Sequence, residues 1–288
     1  MSQLLTHFDS VLTKLEEGKD VDVIYIDFSK AFDKVDHTIL MNKLKAVGLC
    51  SKLLTWIESF LTNRKQMVVV NGATSEVAET ISGVPQGSVL GPLLFIIMIG
   101  DIDEDVGYST LSSFADDTRM KKAIQNLLDT FKLQEDLNRV YKWALENNMM
   151  LNGKKFEHIH YGKQMKTNSY FTEHSKIIEK KSDVKDLGVL LTDDTTFKQH
   201  INGMIKKATE LVGWVLRTFK SRDKDVMTTS WKSLIIPHLD YCSQLWNPQE
   251  KGLIQSIEAV QRSFTRQIND SLVKIVCFHF KKRHANHR

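Results

Sequence analysis

The apolar positions of this 288-residue chain alternate between strand and helix spacing over about the first 197 residues, then keep helix spacing alone. Leu4, Phe8, Val11, Leu12 and Leu15 recur at helical intervals, so residues 3–15 form a helix that Gly18 ends. Residues 21–28 are rich in β-branched side chains and read as a buried strand. Asp36 is placed to cap a helix over 38–47, stopped by Gly48, and another helix spans about 51–61. Residues 66–70 and 76–81 form a hairpin around Asn71-Gly72. The loop Gly83-Val84-Pro85-Gln86-Gly87 feeds a helix over 90–102 that is apolar nearly all round and therefore expected to be buried. Residues 111–114 and 118–121 make a second hairpin. A long helix follows with Leu133, Leu137, Val140 and Ala144 on one face. Residues 157–161 and 184–191 read as single strands, and the remainder as helices.

Mixed strands and helices followed by helices alone predict an α+β domain and then a helical module. Acidic intrusions into the apolar runs sharpen this. Asp27 ends Val23-Ile24-Tyr25-Ile26, and Asp116-Asp117 follow Ser113-Phe114-Ala115. A carboxylate is costly to bury unpaired, and magnesium with its hard oxygen ligands is the simplest compensation. Taken alone, Asp116-Asp117 is better read as two solvated aspartates at a hairpin tip. His158 and His160 alternate on a strand and suit a partly exposed structural face.

Composition excludes some classes. Cys50, Cys242 and Cys277 make no disulfide framework, which fits a reducing, intracellular compartment, nuclear or cytoplasmic. The first residues have no basic segment before an apolar one, so no secretion signal is expected. The longest apolar run is broken by Gly91-Pro92 and is too short to cross a membrane. From Lys198 onward 16 Lys and Arg face 7 Asp and Glu, a balance of +9 against −5 for the rest, giving the net +4. An acidic first part beside a basic last part suits a metal-dependent site next to a polyanion-binding surface. Cys277, His279, His284 and His287 are too irregularly spaced for zinc.

Several segments, in this order, resemble the reverse transcriptases of non-LTR retrotransposons, the jockey-like LINE elements. Tyr25-Ile26-Asp27-Phe28-Ser29-Lys30-Ala31-Phe32-Asp33 is similar to motif A, residues 83–92 to motif B, and Phe114-Ala115-Asp116-Asp117 to motif C. Residues 151–157 resemble motif D, and Asp186-Leu187-Gly188-Val189 resembles motif E, the primer grip. Tyr241-Cys242 through Trp246-Asn247-Pro248 also match, with no role attached. The resemblance implies a right-hand polymerase: an antiparallel palm sheet packed on helices over 1–197, a fingers remnant at 1–20, a helical thumb over 198–270 and a divergent basic tail over 271–288. Its implied activity is RNA-directed DNA synthesis on an RNA template and DNA primer.

Roles follow from the resemblance. Asp27, Asp116 and Asp117 would hold two magnesium ions, with manganese as a substitute, Asp117 being the less certain ligand. Lys155, with Lys154 beside it, would protonate or neutralise the leaving pyrophosphate. Phe28, Phe32, Pro85, Gln86 and Gly87 would line the deoxynucleotide, with Phe32 as the steric gate against a ribose 2′-hydroxyl. Read without the motif, Phe32 is as well explained as core. Asp33 would serve locally. Leu187 and Gly188 would grip the primer. Lys206, Lys207, Arg217, Lys220, Arg262 and Arg266 would contact phosphates, while Trp214, Trp231 and Trp246 would be thumb core.

The pattern also departs from its relatives. Asp27 comes after only 26 residues, so the basic fingers clamp is expected to be largely missing, and a separate polypeptide would supply fingers or endonuclease. The rival to a working polymerase is therefore a catalytically inactive nucleic-acid-binding relic. A two-metal nuclease fits poorly with the motif B loop and Phe32.

Overall fold

The computed structural model describes residues 2–163 and 168–267; Cys277, His279, His284, His287 and the Lys281-Lys282-Arg283 run lie outside them. The chain forms two compact units, residues 8–182 and residues 1–7 with 183–288. Helix α1 (Ser2–Glu16) opens the chain. The first unit continues through β1 (Asp20–Ile26), α2 (His37–Ala46) and α3 (Ser51–Leu61). A small arm follows, made of β2 (Arg64–Gln66), β3 (Val69–Val70), β4 (Ala73–Thr74) and β5 (Ala78–Thr80). Then come α4 (Leu90–Ile99), β6 (Thr110–Phe114), β7 (Asp117–Ile124), α5 (Leu127–Glu146), β8 (Glu157–Tyr161) and β9 (Glu179–Lys181).

One sheet of order β6-β7-β1-β8-β9 organises this unit; all its pairs are antiparallel except β8 with β9. Alternate residues of β1 divide between its faces. Ile24 and Ile26 join Met120 of β7, Leu94, Phe95 and Met98 of α4, and Leu133, Leu137 and Val140 of α5 in one buried cluster. Each such side chain contributes roughly 1.5–3 kcal/mol by leaving water. Helix α4 departs from expectation. It ends at Ile99, and Leu93 and Ile96 are exposed, because only one of its faces meets the core. The arm pairs β3 with β4 around Asn71-Gly72, and β2 with β5, leaving Met67, Val68, Val69, Val70, Val77 and Ile81 exposed.

Central strands rarely carry acids, yet β1 buries Asp22 completely. Its carboxylate accepts from His160 Nδ1 at 2.5 Å, Asn168 Nδ2 at 2.7 Å and Tyr170 Oη at 2.5 Å. His158 Nε2 lies 3.1 Å away. His158 and His160 are thus buried rather than partly exposed. Strand β8 is interior, flanked by β1 and β9, so its inward face has no access to water.

The second unit begins with a hairpin, β10 (Asp183–Asp186) and β11 (Val189–Thr192). Residues 184–191 are therefore not one strand; the chain reverses at Leu187-Gly188. Helix α6 (Lys198–Thr218) follows, then α7 (Lys224–Ser230), a π-helical turn (Trp231–Ile235), α8 (Ile236–Asp240), α9 (Ser243–Trp246) and α10 (Lys251–Thr265). Val212, Val215, Trp231, Trp246 and Phe264 are buried, with the Trp231 and Phe264 rings 5.0 Å apart. Trp214 is exposed instead, on the outer face of α6. Among the described residues no helix is long and apolar enough to cross a membrane.

Candidate active site

The β1–β7 ladder ends with Ile26 opposite Thr118. One further step puts Asp27 beside Asp117. Phe114 pairs with Asp117, so Ala115 and Asp116 alone make the β6–β7 turn. Ala115 adopts φ +53, a conformation glycine favours, and the strained turn leaves both Asp116 and Asp117 exposed. Asp27 follows the parity of Tyr25 and Val23, opposite to the helix-packed Ile24 and Ile26.

On its other side Asp27 is tied to residues 150–155. Asn152 N donates to Asp27 O at 2.8 Å, Phe28 bridges Leu151, and Ser29 N donates to Met150 O at 2.7 Å. This brings the Lys155 ammonium to 3.4 Å from Asp27 Oδ2. Asp27 Oδ2 is shielded from solvent and accepts no hydrogen bond, although its side chain as a whole is 36% exposed and Lys155 is 66% exposed. A carboxylate oxygen without a hydrogen-bond donor, beside an exposed aspartate pair, suits a hard cation with oxygen ligands. Asp27 follows Ile26 and Asp117 precedes Thr118, the pair that closes the ladder, with Asp116 in the adjoining turn. Among the described residues, however, no group of three or more acidic, histidine or cysteine side chains is already closed around a metal position.

The 83–91 loop is fastened to the segment after Asp27. Gly83 N donates to Val35 O at 2.8 Å and Val84 N to Phe32 O at 2.9 Å. Ser82 Oγ donates to Asp33 O at 2.9 Å, and Gln86 Nε2 to Asp33 Oδ1 at 3.0 Å. Arg64 Nη2 donates to Gly83 O at 2.7 Å, and His37 Nε2 lies 2.8 Å from the same oxygen. Gly83 has φ +83, and a Cβ there would sit 2.7 Å from Asp33 O, so only glycine fits. Ser88 Oγ accepts from Gly91 N at 2.9 Å and starts α4.

Phe32 is half-buried and stacks on Phe95 with ring centroids 4.5 Å apart. Phe28 is only 5% exposed and meets Trp143 edge-on, so its ring lies in the core and not in the open site. Pro85 is half-buried, while Gln86 and Gly87 are exposed. Asp33 and Ser82 hold the loop and were not singled out by spacing for that task; Asp33 lies within motif A, which was the available signal. Beside the site, Lys34, Asp36, Ser82, Asn148 and Glu173 help line an open cavity of about 520 Å³.

Leu187, Gly188 and the six basic candidates belong to the second unit, whereas Lys155 and the aspartates belong to the first. Lys206, Lys207, Arg217, Lys220, Arg262 and Arg266 are all exposed. Arg262 is engaged by Glu258 at 3.0 Å.

A sequence model of the reverse transcriptase (RNA-dependent DNA polymerase) family matches residues 2–191. The chain is 27% identical over 269 residues to the RNA-directed DNA polymerase from mobile element jockey of Drosophila funebris, covering 90% of this chain and 29% of that protein. It is 27% identical over 278 residues to the probable RNA-directed DNA polymerase from transposon X-element of Drosophila melanogaster, covering 93% of this chain and 30% of that protein. The chain thus spans under a third of the length of these relatives. Among solved structures, telomerase from Candida albicans in complex with a fragment of telomeric RNA is similar in fold, with TM-score 0.51, 13% identity, 91% of this chain covered and 50% of that one. The α+β sheet-and-helix unit, the carboxylates at the ends of adjacent strands and the family match agree: this chain belongs to the reverse transcriptase (RNA-dependent DNA polymerase) family.

Proposed function

We propose that the chain is the palm and thumb of an RNA-directed DNA polymerase from a non-LTR retrotransposon, transferring a deoxynucleotide to a primer 3′-hydroxyl on an RNA template. The observation that carries this reading is the β1–β7 register, which sets Asp27 beside the Asp116-Asp117 turn while residues 150–155 bring Lys155 to Asp27.

In the reaction the primer 3′-hydroxyl gives its proton to solvent, its O3′ bonds to the α-phosphorus, the bond from that phosphorus to the bridging oxygen breaks, and pyrophosphate leaves with the electron pair. Asp27, Asp116 and Asp117 would hold magnesium, which supplies charge neutralisation and lowers the pKa of the 3′-hydroxyl. Lys155 Nζ would neutralise the pyrophosphate or give it a proton. Phe32, fixed by Phe95, would set the floor under the sugar. Asp33 would keep Gln86, and the loop with it, against the segment after Asp27 until the nucleotide arrives. The partners of this reading are an RNA template, a DNA primer and deoxynucleoside triphosphates.

Primer extension on poly(rA)/oligo(dT) with dTTP and magnesium tests it. Extension by the parent is expected, with Asp27→Asn and Asp116→Asn each lowering it at least about 100-fold, on the scale of one lost transition-state contact. Duplex binding without extension would leave a nucleic-acid-binding relic.

A further inference from the structure

Tyr241, Cys242 and Trp246 match the family pattern without a role in the chemistry. Within the second unit they connect to the Leu187-Gly188 turn. Asp186 pairs with Val189, so these two residues are the whole turn, and both are left-handed, at φ +44 and +86. That backbone matches the twist of a two-residue hairpin, but it is strained for leucine. Tyr241 supplies a restraint. Its Oη donates to Leu187 O at 2.7 Å. Its ring lies along Gly188, where a Cβ would come within 3.4 Å of Tyr241 Cε1.

Tyr241 is itself held. Trp246 Nε1 donates to Tyr241 O at 2.7 Å. The buried Trp246 ring contacts His200, with centroids 5.9 Å apart. His200 Nδ1 accepts from Leu190 N at 3.3 Å. Burial first, and then nearby Lys185, lower the His200 pKa, in the direction of the neutral ring. The path leaves the hairpin at Leu187 and returns to it at Leu190. Gly188 remains exposed, and Tyr241 is about half exposed beside it.

We propose that Tyr241 is a positioning residue that fixes the Leu187-Gly188 backbone against the 3′-terminal sugar-phosphate of the primer strand. The proposal rests on the polymerase reading and adds to it a residue outside motifs A to E. It is tested in the full chain with Tyr241→Phe, which keeps the ring and loses the hydroxyl. The second variant is Gly188→Ala, which crowds the same contact. The measurements are KM for poly(rA)/oligo(dT), KM for dTTP, anisotropy of fluorescein-labelled duplex, and the thermal midpoint.

The expected result is a rise of about fivefold in KM and Kd for the duplex, the factor one neutral hydrogen bond gives. KM for dTTP should stay unchanged in both variants and the midpoint in Tyr241→Phe, whereas Gly188→Ala, strained at φ +86, should lower its midpoint. Duplex KM and Kd equal to the parent's in Tyr241→Phe would overturn the proposal and leave the polymerase reading standing. So would both KM values rising together, or midpoints falling in both variants, since either marks Tyr241 as a packing residue. A parent that neither binds nor extends the duplex would overturn the polymerase reading and this proposal with it.

Discussion

At the scale of single residues, Asp22 within β1 and Asp27 just past its end meet opposite fates. Asp27 keeps an oxygen without a hydrogen bond, whereas Asp22 has its oxygens fully engaged. Burial alone would raise the Asp22 pKa; the bonds from His158, His160 and Tyr170 outweigh it and hold the carboxyl well below the usual range. A carboxyl depressed in the folded state contributes stability that is present above its unfolded pKa, about 4. That stability is lost as the pH falls through the lower folded value. Urea melts should therefore show stability declining below about pH 4. Asp22→Ala should cost about 3–5 kcal/mol at neutral pH, because it strands buried donors, and should flatten that decline; an unchanged acid limb would refute this account. The sequence pointed to Asp27 because its motif is local. The partners His160, Asn168 and Tyr170 of Asp22 come from 138 to 148 residues away, so the His158/His160 alternation looked like an ordinary half-exposed strand.

At the scale of elements, turns separated what could be read from what could not. Asn71-Gly72 and Gly83 announced themselves, since glycine in a left-handed position is its ordinary use. The β10–β11 reversal did not. Val184 and Val189-Leu190-Leu191 give strand-like residues on both sides of a single Gly188, and leucine at φ +44 is a poor turn signal. Tyr241, distant in sequence, donates a hydrogen bond to this turn. Helix α4 was misjudged for a related reason: hydropathy reports how apolar a helix is, not how many faces its neighbours cover. The loop before α4 gives a sharp test. Gly83→Ala forces a Cβ to 2.7 Å from Asp33 O at φ +83. It should lower stability by about 2 kcal/mol or more, and primer extension should fall more than duplex binding. Equal losses in both would show that the loop serves only folding.

At the scale of the whole molecule, the charge asymmetry of the sequence persists as exposed cations on the second unit. Lys207 and Arg217 flank the exposed Trp214 along α6, at spacings that share one side of a helix. Replacing Lys206, Lys207 and Arg217 by Gln should reduce the slope of log Kobs against log salt by about two to three. The parent slope in the triple variant would move the phosphate contacts elsewhere. The arm of β2 to β5 brings the opposite response to ions. Its short strands leave open edges and a cluster of valines, Met67 and Ile81 in water. Salt that loosens nucleic acid from the cations leaves apolar attraction undiminished and removes the repulsion between like-charged copies. The purified chain therefore has a bounded working range of ionic strength: its grip on nucleic acid sets the upper limit, and its own colloidal stability sets another.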